Sequence, residues 1–291
     1  MVSKLAALKW GVERRLEFIE FRLFWEGGVN RSDIIEMFGV SVPQASKDLS
    51  LYQERAPHNA VYDKSAKRYI ASEKFKPHFL KPDPDQYLSR LRSVAEGVID
   101  LSESWVTDFS NADIALTPGR AVEAPFLRAV LAAVRDGRSL DVFYQSMSRD
   151  RPDPTWRRIS PHAFGSDGFR WHVRAYCHLT NQFKDFLLPR ILDIGEFGEP
   201  SENAGSDALW HEYFDIEVGP HPDLSPMQQA VVEKDYRMEE GSVVLPVRYA
   251  MLFYVLKRLG LLGDATKMFA RTQHIVLVNF AETEAALKKA N

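Results

Sequence analysis

Cysteine is almost absent from this sequence, and so are long apolar runs. Because Cys177 is the only cysteine, the chain cannot build an internal disulfide framework or a cysteine-based zinc site, and we expect Cys177 to be a small core residue. No apolar stretch approaches the roughly 20 residues of a membrane span, and the N-terminus lacks a signal-peptide pattern. We therefore expect a cytoplasmic protein that has no membrane partner.

The usual sequence motifs of catalysis are missing as well. The chain carries no P-loop, no GxGxxG, no GxSxG and no HExxH. His172, Cys177 and His178 are close in sequence, but adjacent strand residues point to opposite faces, so Cys177 and His178 could not bind one metal ion. We accordingly expect no enzymatic activity, no catalytic residue, no metal site and no cofactor.

An excess of charge of one sign is also lacking, which argues against nucleic-acid binding along the whole chain. The formal net charge is −3, from 37 Lys and Arg against 40 Asp and Glu. Residues 1–80 hold 13 Lys and Arg and 10 Asp and Glu, a balance of +3, so the remainder holds 24 against 30, a balance of −6. A mildly basic N-terminal part followed by an acidic remainder is typical of a protein that binds DNA with one end.

Residues 30–55 predict a helix-turn-helix. A short helix leads to a turn at Gly39, and a second helix begins after Ser41, a favourable N-cap. Gln44 completes a capping box with Ser41, and Pro43 stands in the first turn, where a missing N–H costs nothing. The apolar stripes that would join this helix to a long first helix are Leu16, Ile19, Leu23 and Phe24, and Val42, Ala45, Leu49 and Tyr52.

The opposite face of the second helix carries short polar side chains and one lysine, which suits a helix that enters a major groove. Two β-prone runs at 60–62 and 68–71 flank a polar tip and predict the wing of a winged helix. The predicted DNA-binding residues of helix and wing are Ser41, Pro43, Gln44, Ser46, Lys47, Lys64, Lys67 and Arg68. The alternative is a small helical core with a solvated basic loop.

Two breaks divide the rest of the chain, a proline-rich stretch at 76–85 and a Gly, Glu and Ser-rich stretch at 195–206. Helical spacing follows the first break over 86–104. A helix over 125–137, with Phe126, Val130, Leu131 and Val134 as its apolar set, then leads to strands over 139–145, 155–162, 169–178 and 184–188. One helix with closely spaced antiparallel strands predicts a small barrel or a strongly bent sheet.

The third of these strands alternates between apolar and polar side chains. Its odd positions run from Phe169 and Trp171 to Cys177 and are apolar, so they face the core, and its even positions form an outward face. With neighbouring strands, that face collects arginines, imidazoles and hydroxyls without nearby carboxylates in sequence, which suits a phosphate or a nucleic-acid backbone. The candidate ligand-binding residues are Tyr144, Ser146, Arg158, His162, His172, Arg174, Tyr176 and Arg190. The alternative is a solvated face whose cations pair with distant acids.

The last part of the chain predicts a small α/β unit. Strands at 212–218 and 242–247 alternate with helices at 226–235 and 250–259, and residues 272–278 predict an edge strand before a helical tail. The apolar run MLFYVLKRLGLL either serves a dimer partner or fills this unit's own core.

These runs resemble the WYL-domain transcriptional regulators. Trp171-His172-Val173 stands where the family has its Trp-Tyr-Leu signature, with histidine in place of the tyrosine, and Arg174-Ala175-Tyr176-Cys177 follows. The runs at 144–146, 158–162 and 186–190 are similar to other family elements. The arrangement along nearly the whole chain is most similar to the CapW/BrxR type, which regulates bacterial anti-phage defence operons.

The resemblance implies an α+β protein with distinct domains. They are a winged helix-turn-helix DNA-binding domain over 1–80, a helical linker or dimer-contact segment over 81–120, a ligand-sensing WYL domain with an SH3/Sm-like β-barrel over 121–200, and a small C-terminal α/β extension for dimerisation over 201–291.

The resemblance also implies partners. They are a second copy of the chain, a double-stranded DNA operator with an inverted repeat, and an anionic nucleotide or nucleic-acid effector that binds the WYL domain and releases a repressor. The rival classes are an RNA- or single-strand-binding protein that uses the barrel as its main surface, a nucleotide-processing enzyme, and a protein-interaction adaptor.

Overall fold

The computed structural model describes residues 9–106, 112–115, 117–200 and 203–290. The chain forms two compact units, Met1–Thr117 and Pro118–Asn291. Residues 107–111 and 116 of the predicted linker, and residues 201–202 of the predicted second break, lie outside the described residues. Among the helices that are described, none combines the length and the apolar character needed to span a bilayer.

Three helices and a β-hairpin open the first unit. They are α1 (Trp10–Trp25), α2 (Arg31–Phe38), α3 (Val42–Arg55), β1 (Ala60–Asp63) and β2 (Arg68–Ala71). The two strands pair antiparallel, with Ala60 opposite Ala71. Gly39 follows α2 with a φ of 61°, a left-handed conformation that ends helices and that glycine adopts without strain. The predicted helix-turn-helix and wing are confirmed.

Side-chain caps fix where α2 and α3 begin. At α2, Asn30 accepts a hydrogen bond from the backbone N–H of Asp33, and the Asp33 carboxylate accepts one from the N–H of Asn30, which makes a capping box. At α3, Ser41 accepts from the N–H of Gln44 at 3.4 Å, as predicted for its N-cap. The predicted second half of the Ser41 capping box is wrong, because the Gln44 side chain donates to Asp48 instead, at 3.0 Å.

The first core lies among α1, α2 and α3. Its buried side chains include the predicted Leu16, Ile19, Leu23, Ala45, Leu49 and Tyr52. An ion pair of 2.6 Å between Arg15 and Asp48 joins α1 to α3. Two residues predicted in the same stripes are not buried, since Val42 is 55% exposed and Phe24 is 41% exposed. Both lie in a terminal turn of their helix, where fewer neighbours cover a side chain.

A buried carboxylate ties α1 to α3 and to the proline-rich stretch that follows the hairpin. Glu20 is fully buried in α1. It accepts hydrogen bonds from the backbone N–H groups of His78, Phe79 and Leu80 at 2.9, 2.7 and 2.7 Å, and from the Tyr52 hydroxyl at 3.1 Å. The stretch predicted as a break is therefore held firmly against the first core.

Part of the predicted linker also belongs to that core. Helix α4 spans Pro84–Ala95, so the predicted longer helix over 86–104 is wrong. Gly97 has a φ of 69°, which is incompatible with further helix. Trp105 is buried farther along the chain, and its ring packs edge-on against Phe18 and Phe21.

The second unit begins with one helix and an antiparallel sheet. The elements are α5 (Ala124–Asp136), β3 (Arg138–Tyr144), β4 (Thr155–Ser166), β5 (Trp171–Cys177), β6 (Gln182–Leu187) and β7 (Ile191–Pro200). The strand order is β6-β5-β4-β3-β7. In the described pairings β6 and β7 are the two edges of the sheet and do not pair with each other, so the predicted closed barrel is not observed. The predicted helix and the four predicted strands are confirmed, with small differences at their ends.

Strand β7 occupies a place where the sequence predicts a break. Its glycines permit close packing across the sheet: a Cβ on Gly195 would lie 3.1 Å from the Trp156 ring, and a Cβ on Gly198 would lie 2.2 Å from Ser139 Oγ. Glycine inside a strand often marks such a close approach. The prediction of a break is therefore wrong for residues 195–200.

Helix α5 packs on one face of this sheet. The buried side chains of this core include Val130, Ala133, Leu140, Val142, Ile159, Val173 and Ala175. Cys177 is fully buried among them, as predicted. Leu131, Phe169 and Trp171 are predicted core residues, but they are 48%, 65% and 58% exposed. Strand β5 begins only at Trp171, so Phe169 lies before the strand and Trp171 is its first residue. The predicted alternation therefore starts too early in the chain.

The chain ends in a three-stranded sheet with helices. The elements are α6 (Ala208–His211), β8 (Tyr213–Pro220), α7 (Pro226–Asp235), β9 (Val243–Arg248), α8 (Tyr249–Leu259), β10 (Ile275–Leu277) and α9 (Phe280–Ala290). The order β10-β8-β9 makes β10 an edge strand, as predicted. Leu252, Leu256 and Leu261 are buried in this core, whereas Phe253 and Leu262 are 38% and 42% exposed. The apolar run of α8 thus mainly fills its own core.

Candidate functional site

A groove runs between α3 and the wing in the first unit. It has a volume of about 680 Å³. Its lining consists of Asn30, Arg31, Ser32, Ser46, Leu49, Ser50, Tyr62, Lys67 and Tyr69. Short polar side chains and two cations therefore face the groove, with two tyrosines on the wing side. Side chains of these types contact the sugars, phosphates and base edges of DNA.

The predicted DNA-binding residues occupy different positions around this groove. Ser46 and Lys67 line it. The remaining exposed residues of the prediction are Ser41, Pro43, Lys47 and Lys64, at the start of α3, on its outer face and at the wing tip. Gln44 is half-buried and one N–H of its amide donates to Asp48, so its other N–H and its carbonyl oxygen remain for a base edge.

The guanidinium of Arg68 is bonded within the protein and does not extend into solvent. Its Nη2 donates to the backbone carbonyls of Glu26 and Gly28 at 3.2 and 2.7 Å. Gly28 has a φ of 149°, and a Cβ there would lie 2.4 Å from the Tyr69 carbonyl oxygen, so only glycine permits the approach. Arg68 therefore fastens the hairpin to the end of α1, which removes the geometric reason to expect a phosphate contact from it.

Arg31 is absent from the sequence-based selection although it lies in the groove. Its Nη1 is 3.5 Å from Ser46 Oγ on α3, and its side chain is exposed. The capping box at Asn30 and Asp33 was the available signal, since it fixes the start of α2 and places Arg31 in the first turn of that helix. Tyr62 and Tyr69 gave no comparable signal, because tyrosine is common in any strand.

In the second unit, the predicted outward face of β5 is mostly buried. Arg174 is 5% exposed and forms a bidentate ion pair with Asp207, with N···O distances of 2.8 and 3.0 Å, and it lies 3.3 Å from Asp185. His162 donates to the same Asp207 carboxylate at 3.0 Å. For Arg174 the structure favours the alternative interpretation, in which the cations of this face pair with acids that are distant in sequence. Asp207 belongs to the C-terminal segment, 33 residues after Arg174.

The surroundings of Asp207 and His172 favour one protonation state for each side chain. Burial disfavours the Asp207 carboxylate, but hydrogen bonds from His162 and Arg174 outweigh it and lower the pKa of Asp207 to about 2. His172 is 3% exposed, and its burial lowers its pKa below the usual value despite Asp167 at 3.4 Å. His172 is therefore neutral at neutral pH and is not a cationic ligand for an anion.

Other members of the predicted ligand face have polar contacts of their own. Arg158 forms an exposed bidentate pair with Asp141, with N···O distances of 2.8 and 2.6 Å. The Tyr176 hydroxyl is 3.4 Å from Asn181 Oδ1. Arg190 is half-buried, and its carbonyl accepts from the N–H of Gln145 at 3.0 Å.

Tyr144 and Ser146 line a separate cavity of about 300 Å³. The other residues of its lining are Ser148, Asp150, Arg151, Arg157, Lys184, Asp185 and Phe186. Its lining has three cations against two carboxylates. A polar, net-cationic cavity of this size can hold a phosphate-bearing group.

Arg157 is the distinctive residue of this cavity. It is 6% exposed, and its guanidinium carbon lies 5.4 Å from the centre of the Tyr144 ring. Its Nη2 is buried and has no hydrogen-bond partner among the residues that the structure describes. Sequence reasoning selected Arg158 instead. An arginine on the core side of β4, two residues before Ile159, was the signal that could have identified Arg157.

Comparisons with known families match three successive parts of the chain. Residues 11–93 match the BrxR transcriptional regulator winged helix-turn-helix domain. Residues 125–195 match the WYL domain, and residues 213–283 match the BrxR transcriptional regulator C-terminal dimerization domain. These matches coincide with the hairpin-bearing helical unit, the five-stranded sheet and the terminal three-stranded sheet.

Full-length relatives are similar along almost the whole chain. The DNA-binding transcriptional repressor CapW of Stenotrophomonas maltophilia is 40% identical, over 99% of this chain and 96% of the relative. The proteins of the same name from Escherichia coli (strain KTE188) and Pseudomonas aeruginosa are 36% and 38% identical, over 97% and 93% of this chain and 93% and 90% of theirs. The chain therefore belongs to the CapW/BrxR family of WYL-domain transcriptional regulators.

Proposed function

We propose that this protein is a homodimeric transcriptional repressor in the bacterial cytoplasm that binds an inverted-repeat operator and controls neighbouring anti-phage defence genes. Two α3 helices enter major grooves that lie roughly one helical turn apart, or a multiple of it. The wing contacts the adjacent backbone through Lys64 and Lys67. The relatives that are named DNA-binding transcriptional repressors support this function.

The observation that carries the proposal is the solvent-facing polar surface of α3 beside a basic wing. Ser46 and Ser50 line the groove together with Lys67 and Arg31, and Lys47 is exposed on the same helix. Buried residues on the other side of α3 fix this orientation, because Ala45, Leu49 and Tyr52 can pack in only one direction. Lys47, Lys67 and Arg31 supply phosphate contacts, and Ser46 and Ser50 face base edges.

Self-association is assigned to the C-terminal part of the chain. The matched family model for residues 213–283 carries the description of a dimerization domain. Its described apolar side chains that are more than half exposed are Tyr213, Met227, Val231, Val244, Phe269 and Val278. A second copy that covers them would place two winged helices on one operator.

Replacing Lys47 with alanine tests the DNA contact. The DNA is an inverted repeat from the region upstream of this chain's own gene, and binding is followed by gel shift over a salt series. We expect the affinity to fall about tenfold, and the slope of log K against log salt to shrink by about one for each Lys47 in the dimer.

The matched control for that experiment is Lys81→Ala. Lys81 is an exposed lysine of the same unit, and it lines a different cavity from the α3 groove. Its loss changes the net charge equally, so it should leave affinity and slope nearly unchanged. Binding by Lys47→Ala at the native level would contradict the docking of α3.

The ligand that releases the repressor is assigned to the cavity at Arg157. We propose an anionic nucleotide or nucleic-acid fragment whose phosphate contacts Arg157, Arg151 and Lys184, with the hydroxyls of Ser146 and Tyr144 nearby. The buried, unpartnered Nη2 of Arg157 supports this assignment, because an unsatisfied buried donor costs free energy that a ligand would recover. Release requires that the ligand bind the DNA-free arrangement more tightly than the DNA-bound one.

Replacing Arg157 with glutamine tests the effector site. In cells that carry an operator–reporter fusion, we expect repression to stay intact while induction on phage infection falls by about tenfold or more, because a charge-assisted phosphate contact is lost. The matched control is the adjacent Arg158→Gln, which removes an exposed ion pair and should leave both repression and induction unchanged. Normal induction of Arg157→Gln would reject this site.

A further inference from the structure

A second basic cavity lies in the second unit and shares no lining residue with the Arg157 cavity. Its volume is about 380 Å³. Its walls come from the β4–β5 loop with Asp167, Phe169 and Arg170, from the last turns of α8, and from Arg120 before α5. The cavity therefore lies where the five-stranded sheet meets the C-terminal helices.

The charges in this cavity are strongly unbalanced. Its cations are Arg120, Arg170, Lys257 and Arg258, against Asp167 as the one carboxylate of the lining. Arg120, Lys257 and Arg258 are exposed, and none of these three has an ion pair with another described residue. Three cations of one cavity are thus left for a ligand.

The single carboxylate is already fully engaged by its own loop. Asp167 accepts from the backbone N–H groups of Phe169 and Arg170 at 2.8 and 2.7 Å, and from the side chains of Arg170 and His172 at 2.9 and 3.4 Å. These bonds shape the loop, and Asp167 forms an ion pair with Arg170 and a hydrogen bond with His172 but no ion pair with the described Lys257 or Arg258. The carboxylate is therefore a scaffold of the cavity and not a partner of its free cations.

Two further features suit the cavity to a ligand with a planar group. Phe169 is 65% exposed although it is a large aromatic residue. Gly168 has a φ of 88°, and a Cβ there would lie 2.8 Å from Arg258 Nη1, so glycine lets the guanidinium rest on the loop. An exposed ring beside a guanidinium offers a stacking surface next to phosphate-binding groups.

We propose that this cavity is a second ligand site, separate from the Arg157 cavity, and that it binds a small organic polyphosphate of the nucleoside di- or triphosphate class. Arg120, Lys257 and Arg258 bind the phosphates, and Phe169 stacks on the base. The volume fits a mononucleotide and not an oligonucleotide. This site stands independently of the repressor function proposed above.

The site is placed to influence the C-terminal part of the chain. Tyr254 lies in its wall, and its hydroxyl donates to Asp185 at 2.9 Å, which in turn lies 3.3 Å from Arg174. Arg174 holds Asp207 at the start of α6. A ligand on Lys257 and Arg258 therefore acts on α8, which is joined by polar contacts to the sheet and to α6.

Calorimetric titration of the full-length protein with ATP tests the proposal, with tripolyphosphate and adenosine titrated in parallel. We expect saturable binding of ATP and weaker binding of tripolyphosphate at low salt. The double variant Lys257→Glu with Arg258→Glu should weaken both by about tenfold or more. Phe169→Ala should weaken ATP and leave tripolyphosphate unchanged, because only ATP carries a ring.

Matched variants separate this site from its alternatives. Lys288→Glu changes an exposed lysine on α9 and should leave ATP binding intact, as should Arg157→Gln. The proposal is overturned if neither ATP nor tripolyphosphate binds. It is also overturned if Lys288→Glu weakens binding as much as the double variant, or if binding depends on Arg157. Tighter binding of a single-stranded oligonucleotide, lost in the same double variant, would overturn the small-ligand class.

Discussion

Replacing Arg174 with methionine is expected to lower the free energy of unfolding of the second unit by about 3–5 kcal/mol, the range for breaking a buried ion pair by removing one partner. The substitution keeps most of the side-chain volume and removes the charge. It leaves the Asp207 carboxylate, 1% exposed, with the His162 side chain at 3.0 Å and without its guanidinium partner. It also removes the cation beside Asp185. Loss of ligand response in such a variant would therefore follow from instability.

Hydrogen exchange followed by mass spectrometry measures this effect within the intact chain, because peptides from β4, β5 and α6 report on the second unit alone. The matched control is Arg158→Met on the neighbouring strand. Arg158 also forms a bidentate pair with an aspartate, but the pair is exposed to solvent, so little change is expected. A loss below about 1 kcal/mol for Arg174→Met would contradict the assigned role.

The contrast between Arg174 and Arg158 explains which parts of the site the sequence could predict. Alternation along β5 correctly separates Val173, Ala175 and Cys177 from their polar neighbours. It indicates on which side of the sheet a residue lies, but not what covers that side. Asp207 reaches Arg174 from a distant part of the chain, and no local pattern encodes that contact. A cation that is predicted to face solvent can therefore be buried by another segment.

The winged helix was more predictable because its signals are local. The Ser41 cap, the Gly39 turn and the spacing of Leu49 and Tyr52 lie within a few residues of the structure they determine. Even there, the prediction for Gln44 is wrong, because its amide donates to Asp48 one turn along α3, and Asp48 is itself held by an ion pair with Arg15 of α1. The periodicity of a sequence does not predict ion pairs between residues that are far apart in the chain.

The proposal that the Arg157 cavity binds the effector depends on the same distinction between local patterns and burial by distant segments. The polar alternation of β4 favours Arg158, which lies on the solvent side and pairs with Asp141. Arg157 lies on the core side with Ile159, where an arginine is costly unless it is paired. Its buried, unpartnered Nη2 is therefore the more informative feature. A charge kept where burial disfavours it indicates function more strongly than an exposed cation does.

Replacing Glu20 with leucine is expected to destabilise the first unit by about 4 kcal/mol or more, since four donors lose their acceptor and each buried donor left unsatisfied costs about 1–3 kcal/mol. Leucine has a similar volume, so the loss comes from hydrogen bonds and not from a cavity. Three backbone N–H groups at 78–80 and the Tyr52 hydroxyl would lose their acceptor. Because Tyr52 lies in α3, operator affinity should fall together with stability.

Glu17→Leu is the matched control, on the same helix. Its carboxylate pairs with Arg14 at the surface at 2.8 Å, so a change under about 1 kcal/mol is expected. Thermal unfolding followed by circular dichroism, and gel shifts at low temperature, measure the two effects. Glu20→Gln retains one acceptor oxygen, but its amide N–H groups would face other donors. The Glu20→Gln protein should therefore be more stable than Glu20→Leu and less stable than the native protein. Equal stabilities for all three proteins would show that the Glu20 carboxylate does not hold the recognition helix against the segment that follows the wing.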